Sequence, residues 1–268
     1  MKRHIPNIIT ACNLICGCIA TWAAFMGSFT YVDMQKVLYL PGAKFAFLFI
    51  LLGAVFDFFD GMVARKLGVS GPLGIQLDSL ADVITFGLAP GAMIFSLFTR
   101  VYYPQFMYED FWFKIMPFTA FLLPAFAAFR LANFNIDTRQ REGFIGLPTP
   151  ASAIFWAALI CGCSGFLTSH RFNAPFLFAL LIIFCYLMVS DIPMFKLKFH
   201  DMKWQTEGNK PKLVFIAIAL LALLAAAIMG YMDGQIVIYL SRAAAAIIAF
   251  YIIMSIVLMY RNVYKQDE

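Results

Sequence analysis

Charged residues are scarce in this chain. Of its 268 residues only 13% are Asp, Glu, Lys or Arg, whereas 62% are hydrophobic. Soluble domains are about 45–50% apolar and about a quarter charged, so this composition excludes an ordinary soluble domain. We find no internal repeat and no low-complexity tract. The composition predicts an all-α, polytopic membrane protein.

Cysteine and histidine are also few. The six cysteines all fall in apolar stretches and none forms a CxxC pair, so we interpret them as small packing residues rather than metal ligands or disulfides. The three histidines have no partners at metal-binding spacing. The net charge of +5 lies in connecting segments and not along an aromatic-rich face, which argues against nucleic-acid binding.

Eight apolar stretches are long enough to cross about 30 Å of hydrocarbon at about 1.5 Å per residue. They are residues 7–29, 43–65, 73–99, 111–133, 149–168, 173–192, 211–231 and 239–260. We interpret the first as a retained span and not a signal peptide. With the N-terminus in the cytoplasm, 14 of the 20 Lys and Arg residues lie on that side, as the positive-inside rule requires. The charge distribution predicts cytoplasmic termini in the cell (inner) membrane. The eight spans are expected to form one membrane domain, in which six helices (1–192) precede a basic loop and two more helices (193–268).

Four acidic residues interrupt this apolar sequence: Asp57, Asp60, Asp78 and Asp82. An ionised side chain inside a membrane is unfavourable unless it is paired, hydrated or bound to a metal. The first two acids are spaced i,i+3 and the last two i,i+4, so each pair shares one helix face. Glycine and proline at 68–72 predict a tight turn between antiparallel helices. We therefore expect the four carboxylates to converge.

Such a cluster requires protonation or a cation, because two charges 4 Å apart repel by about 4 kcal/mol at an effective dielectric constant near 20. Oxygen ligands without neighbouring His or Cys favour Mg²⁺ or Mn²⁺ over zinc. Two such ions on shared carboxylates suit phosphoryl-transfer chemistry. The alternative is a pair of kinked helices joined by interhelical hydrogen bonds.

Residues 57–82 read DxxDGxxARx8GxxxDxxxD. This pattern resembles that of the CDP-alcohol phosphotransferases, integral membrane enzymes that transfer a phosphate-linked group from a CDP-activated donor to an alcohol. The resemblance implies that Asp57, Asp60 and Asp78 hold two divalent ions, Mg²⁺ or Mn²⁺. It further implies that Asp82 completes this metal site and acts as the general base on the incoming hydroxyl.

The remaining positions of the pattern imply a binding site for the CDP-linked donor. Gly61 and Ala64 would let the nucleotide approach the helix backbone, Arg65 would meet the donor phosphates, and Gly74 lies on the stripe of the second acid pair. The residue types agree with these roles, since glycine lacks the Cβ that would block a bulky ligand and the arginine fork matches phosphate oxygens.

Two further stretches resemble phosphatidylserine synthases within this family. The opening IPNIITACNLICG resembles theirs and would place Asn7 and Thr10 near the nucleotide, whereas the alternative is a helix-capping role. RLANFN followed by FIGLPTPASA resembles their RLARFN and GLPxPxA, although Asn133 stands where arginine is common. An L-serine acceptor needs a cation for its carboxylate. The candidates are Arg130, Arg139 and Arg141, with Arg130 preferred because it lies near a helix end; the alternative is a basic cytoplasmic loop.

The resemblance implies transfer of the phosphatidyl group from CDP-diacylglycerol to L-serine, giving phosphatidylserine and CMP at the cytoplasmic face. One alternative keeps the chemistry and changes the acceptor to glycerol 3-phosphate, an inositol phosphate or choline. A second alternative is a divalent-cation transporter, because intramembrane acids can mark an ion path. Homodimers are usual in the family, which implies a homodimer here.

Overall fold

The computed structural model describes residues 4–26, 28–32, 35–39, 41–69, 71–101, 103–104, 114–136, 144–194 and 210–264. Within these residues the chain forms eight helices and four short strands. The helices are α1 Ile5–Ala24, α2 Pro41–Leu67, α3 Pro72–Phe98, α4 Met116–Ile136, α5 Thr149–Ser169, α6 Asn173–Val189, α7 Lys210–Met232 and α8 Ile236–Tyr264. Strand β1 (Ser28–Val32) pairs antiparallel with β2 (Gln35–Tyr39), and β3 (Phe144–Ile145) with β4 (Pro193–Met194).

The predicted helical membrane architecture is confirmed. Seven of the helices in the described part of the chain are long and apolar enough to cross a membrane, and α6 is a shorter apolar helix of 17 residues. Helix α1 ends at Ala24 and not at residue 29 as predicted, because the chain that follows turns into the β1–β2 hairpin.

Helix α3 lies at the centre of the bundle. Helix α1 packs along its whole length, and α4 and α5 pack against its second half. In its most apolar 18-residue stretch, 72% of the residues are buried inside the protein, against 17% for each of α7 and α8. The side chains of Phe86, Met93 and Phe98 fill the core from this helix.

The middle of α3 is a π-helical turn, Val83–Leu88, between two α-helical segments, Pro72–Asp82 and Ala89–Phe98. Such turns insert one extra residue and change which side chains face each neighbour. The turn begins directly after Asp82, so it determines the position of that carboxylate relative to the rest of α3.

Small residues allow α1, α2 and α3 to approach closely at this turn. A Cβ on Gly17 of α1 would lie 2.8 Å from the Cα of Thr85, and a Cβ on Gly53 of α2 would lie 2.6 Å from Cγ2 of the same residue. Helices in a membrane associate through such close packing because lipid removes most of the hydrophobic driving force. The start of α1, the end of α2 and the start of α3 consequently meet at one end of the bundle.

Candidate metal and nucleotide site

The acidic side chains of α2 and α3 converge as their spacing predicts. Carboxylate oxygens of Asp57, Asp60 and Asp78 all lie within 4.8 Å of one another. The Asp57 carboxyl also lies within hydrogen-bonding distance of Asp82, which is one turn beyond Asp78 on α3. Asp60 and Asp82 are buried, while Asp57 and Asp78 are half-buried. The structure therefore brings all four carboxyl groups together at one end of the bundle.

This arrangement fits a hard divalent cation. Oδ1 of Asp78 is buried and has no hydrogen-bond partner among the residues that the structure describes. A buried carboxylate oxygen without a donor is unfavourable, and ionised carboxylates can only accept hydrogen bonds, so neighbouring acids do not satisfy one another when charged. Several oxygen ligands within reach of one point are what Mg²⁺ and related ions require.

Helix α1 supplies polar partners to two of the acids. The Thr10 hydroxyl donates to Asp60 Oδ2 at 2.6 Å, and the Asn13 amide Nδ2 donates to Asp82 Oδ1 at 3.2 Å. Thr10 and Asn13 are spaced i,i+3 and so share one face of α1. Thr10 is predicted from the sequence either to cap the helix or to lie near the nucleotide, whereas Asn13 is not among the predicted site residues. A polar amide within an apolar span was the available signal.

A cavity of about 150 Å³ opens beside Asp60 and Asp78, between the start of α1, the end of α2 and the start of α3. The Arg65 guanidinium folds over Gly61, with Nη1 3.3 Å from where a Cβ of that glycine would lie. The lining includes every residue that sequence reasoning assigned to the donor, namely Asn7, Thr10, Gly61, Ala64, Arg65 and Gly74.

Arg130 of α4 lies near Asp82. Its side chain is only 7% exposed and interacts electrostatically with Asp82 and with Tyr251 of α8. Its Nε has no hydrogen-bond partner within the described segments. The two other predicted acceptor-binding arginines, Arg139 and Arg141, lie outside the described residues.

Two buried hydroxyls at the start of α5 were not predicted. Thr149 Oγ1 and Ser152 Oγ are inaccessible and have no hydrogen-bond partner in the described parts of the chain. Hydroxyls in helices usually donate to the carbonyl three or four residues earlier, as Thr21 and Thr168 do. Helix α5 packs against the π-helical turn that follows Asp82. These hydroxyls are therefore candidates for contact with a ligand.

Comparison with known proteins agrees with this geometry. The sequence description of the CDP-alcohol phosphatidyltransferase family matches residues 3–165, which include α1 to α4 and most of α5. The chain belongs to this family. The family assignment made from the aspartate motif is confirmed, and the acid cluster and the cavity both lie within the matched region.

Several relatives of this CDP-alcohol phosphatidyltransferase carry a serine-related name. The CDP-diacylglycerol–serine O-phosphatidyltransferase of Bacillus subtilis (strain 168) is 33% identical over 201 residues, covering 72% of this chain and 92% of that protein. The protein of the same name from Helicobacter pylori (strain 26695) is 30% identical over 204 residues, covering 72% of this chain and 78% of its own length. An archaetidylserine synthase of Methanothermobacter thermautotrophicus is 35% identical over 112 residues, or 41% of this chain and 43% of that protein.

Proposed function

We propose that this protein transfers the phosphatidyl group of CDP-diacylglycerol to the hydroxyl of L-serine, giving phosphatidylserine and CMP. The observation that carries the proposal is the convergence of four carboxyl groups beside a cavity that is lined by Gly61 and Arg65. The serine-related names of relatives that cover most of this chain support the choice of acceptor.

The donor would occupy the cavity between α1, α2 and α3. In this proposal Gly61, Ala64 and Gly74 leave room for the nucleotide, and the Arg65 fork binds phosphate oxygens. Asn7 and Thr10 border the same space from α1. All of these residues line the cavity from positions near helix ends, where a lipid phosphate at the membrane surface would also lie.

The carboxyl groups would hold two Mg²⁺ or Mn²⁺ ions through Asp57, Asp60 and Asp78, with Asp82 completing the metal site. When bound, such ions neutralise charge on the diphosphate and on the departing CMP. Oδ1 of Asp78, which is buried and has no hydrogen-bond partner among the described residues, is the structural feature that supports a metal at this place.

Asp82 would act as the general base. A serine hydroxyl is too weakly acidic to attack unaided, so a carboxylate must accept its proton as the new bond forms. The serine oxygen bonds to the lipid-side phosphorus, the bond from that phosphorus to the CMP oxygen breaks, and the hydroxyl proton passes to Asp82. The carboxyl group of Asp82 is buried and interacts with both Asp57 and Arg130.

Among the residues that the structure describes, we assign Arg130 to bind the serine carboxylate. Its buried position beside Asp82 would bring the carboxylate and the reacting hydroxyl of one small amino acid into a single pocket. Thr149 and Ser152 are further candidates for the same pocket, and Arg139 and Arg141 remain candidates from the sequence. A phosphorylated acceptor would instead require a tighter group of cations next to the acids.

We also propose a location in the inner membrane with the site on the cytoplasmic side, as the distribution of Lys and Arg favours. The cytoplasmic termini and the division at residues 192 and 193 stay predictions from the sequence. The homodimer stays a prediction from the family resemblance alone. The acids lie together at one end of the bundle, which supports a surface-facing reaction site over an ion path across the membrane.

The experiment is a CMP-release assay on the purified protein with CDP-diacylglycerol, Mn²⁺ or Mg²⁺, and a panel of L-serine, glycerol 3-phosphate, an inositol phosphate and choline. We expect release chiefly with L-serine, and its loss in Asp82→Asn and Asp57→Asn. Asp233→Asn is the matched control, because this carboxylate is exposed in the turn between α7 and α8. Preference for another alcohol would overturn the serine assignment alone, and metal uptake into vesicles without CMP release would support the transporter.

A further inference from the structure

Asn13 is a fully buried amide in the middle of an apolar membrane helix. Its exposed fraction is 0%, and its Nδ2 donates to Oδ1 of Asp82 at 3.2 Å. The Oδ1 atom of Asn13 itself has no hydrogen-bond partner in the described residues. A buried amide with one end unsatisfied weakens the fold, so an apolar residue of similar size would be the more stable choice for packing alone.

The position of Asn13 is fixed by all three helices of the site. The Thr85 hydroxyl of the π-helical turn donates to the Asn13 backbone carbonyl at 3.0 Å. One turn later on α1, Gly17 allows the Thr85 backbone to approach. A Cβ on Gly53 of α2 would lie 3.0 Å from Asn13 Oδ1, so α2 also approaches the amide closely. The amide is therefore held against Asp82 and has little room to rotate away.

Asn13 contacts the acid that does not belong to the close triad. Thr10, on the same face of α1, bonds to Asp60 within the triad, whereas Asn13 bonds to Asp82 outside it. One face of α1 thus holds two acids with different proposed roles at a fixed separation. The π-helical turn ties the same face to the backbone that follows Asp82.

We propose that Asn13 is a positioning residue for Asp82: its amide engages one carboxylate oxygen, fixes the orientation of the side chain, and leaves the second oxygen available to the acceptor hydroxyl. This inference rests on the proposed function, in which Asp82 accepts the hydroxyl proton. Asn13 touches neither substrate in this scheme and acts through Asp82 alone.

The first test replaces the amide by an apolar side chain of similar size, Asn13→Leu. We expect kcat to fall about 10- to 100-fold, the range found when groups that orient reactive side chains are removed. The KM for CDP-diacylglycerol should stay within about 2-fold, and Mn²⁺ should still stabilise the protein against heat without substrates, because Asp57, Asp60 and Asp78 keep their partners and only Asp82 of the metal site loses one. Asn13→Gln, which retains a donor, should recover part of kcat.

The matched control is Thr21→Val on the same helix. The Thr21 hydroxyl bonds only to the Gly17 carbonyl of its own helix, at 2.8 Å, in the structure as described. We expect this variant to retain wild-type kcat and KM within about 2-fold, since this half-buried hydroxyl contacts none of the four acids. Equal losses in Asn13→Leu and Thr21→Val would indicate a general effect on α1 and would overturn the proposal.

The second test is a double-mutant cycle with Asp82→Glu, which moves the carboxylate away from the amide. If Asn13 acts through Asp82, Asn13→Leu lowers the residual rate of Asp82→Glu by a much smaller factor than it lowers the wild-type rate. Equal factors in both backgrounds, or loss of Mn²⁺-dependent stabilisation in Asn13→Leu, would overturn the positioning role. A wild-type protein that releases no CMP defeats the proposed function, whereas an active wild type with a fully active Asn13→Leu defeats this inference only.

Discussion

Two helical hairpins in this protein share a local design and differ in surroundings. In α2–α3 and in α7–α8, two apolar helices are joined by a short turn with a glycine at positive φ, Gly68 at 64° and Gly234 at 66°. The first hairpin contains the four acids and the buried helix α3, whereas α7 and α8 lie at the edge of the bundle. Turn chemistry alone therefore does not distinguish an active hairpin from a peripheral one.

The order of hydropathy in the two hairpins is opposite to the order of burial. The mean hydropathy is 1.7 for α3 and 2.9 for α7, yet 72% of the compared stretch is buried in α3 and 17% in α7. In water the most apolar helix would be the most enclosed, but lipid accepts apolar side chains readily and excludes polar ones. Between these two hairpins, the less apolar helix is therefore the one that other helices enclose.

The two hairpins also differ in their relation to the family. The matched region, residues 3–165, contains α2 and α3 and ends before α7 begins at Lys210. The α7–α8 hairpin still contacts the site, since Tyr251 of α8 interacts electrostatically with Arg130. The comparison predicts that changes in the first hairpin affect activity, whereas changes at the α7–α8 turn affect stability alone.

Metal removal should give the largest effect. Chelation of the wild-type protein is expected to abolish CMP release and to lower the thermal midpoint, because Mn²⁺ at 100 times its Kd stabilises a folded state by about 2.7 kcal/mol. In Asp57→Asn the midpoint should no longer respond to Mn²⁺. Its metal-free midpoint should exceed that of the metal-free wild type, since one source of carboxylate repulsion is gone.

Thermal unfolding in detergent, with and without chelator, measures this difference. Asp233→Asn serves as control and should respond to Mn²⁺ as the wild type does. A full Mn²⁺ response in Asp57→Asn would show that the ion binds elsewhere and would remove the physical distinction between the two hairpins.

Loss of the Thr10 hydroxyl should have the next largest effect. Thr10→Val keeps the shape of the side chain and removes the 2.6 Å donor to Asp60 Oδ2. We expect the Mn²⁺ requirement to rise about 10-fold, which is the lower end of the range for partners of metal ligands. A titration of CMP release against Mn²⁺ measures it, with Thr21→Val as the control, and an unchanged titration would contradict the role of α1 in holding Asp60.

The meeting of the four acids was predictable because it depends on local geometry. The i,i+3 and i,i+4 spacings and the turn at 68–72 determine which faces of α2 and α3 oppose each other. The helix boundaries agree for the same reason: α2 is predicted over 43–65 and spans Pro41–Leu67. Hydropathy and helix periodicity carry this information within a single hairpin.

The partners of the acids were less predictable, because they come from a helix distant in sequence. Asn13 and Asp82 are 69 residues apart, and their contact depends on how α1 packs against α3. The π-helical turn is equally non-local, since Thr85 reaches α1 only through the close approach allowed at Gly17 and Gly53. Hydropathy also missed the end of α1, because β1 pairs with a second strand beyond it.

Crowding the junction of α1 and α3 should give a moderate effect. In Gly17→Ala the new Cβ would lie 2.8 Å from the Thr85 Cα, a backbone atom that cannot rotate away, so the helices must separate. We expect a loss of about 1–3 kcal/mol in stability, as for other overpacked cores. Gly165→Ala on α5 is the control, because its Cβ would meet no atom within 4 Å in the part of the chain that the structure describes. Thermal unfolding distinguishes the two, and equal midpoints would contradict the close packing at Gly17.

The smallest effect is expected for alanine substitutions in the two turns, which compare the hairpins directly. Gly68→Ala and Gly234→Ala each place a Cβ at a positive φ, and neither Cβ would meet an atom of the described residues within 4 Å. Both variants should therefore lose about 1–2 kcal/mol from backbone strain. Only Gly68 lies in the turn that orients Arg65 and the start of α3 around the cavity, so Gly68→Ala should also raise the KM for CDP-diacylglycerol. Gly234→Ala should leave KM and kcat unchanged, and CMP release at several donor concentrations measures both. If the two variants alter KM equally, the α7–α8 turn takes part in donor binding and the functional difference between the hairpins does not hold.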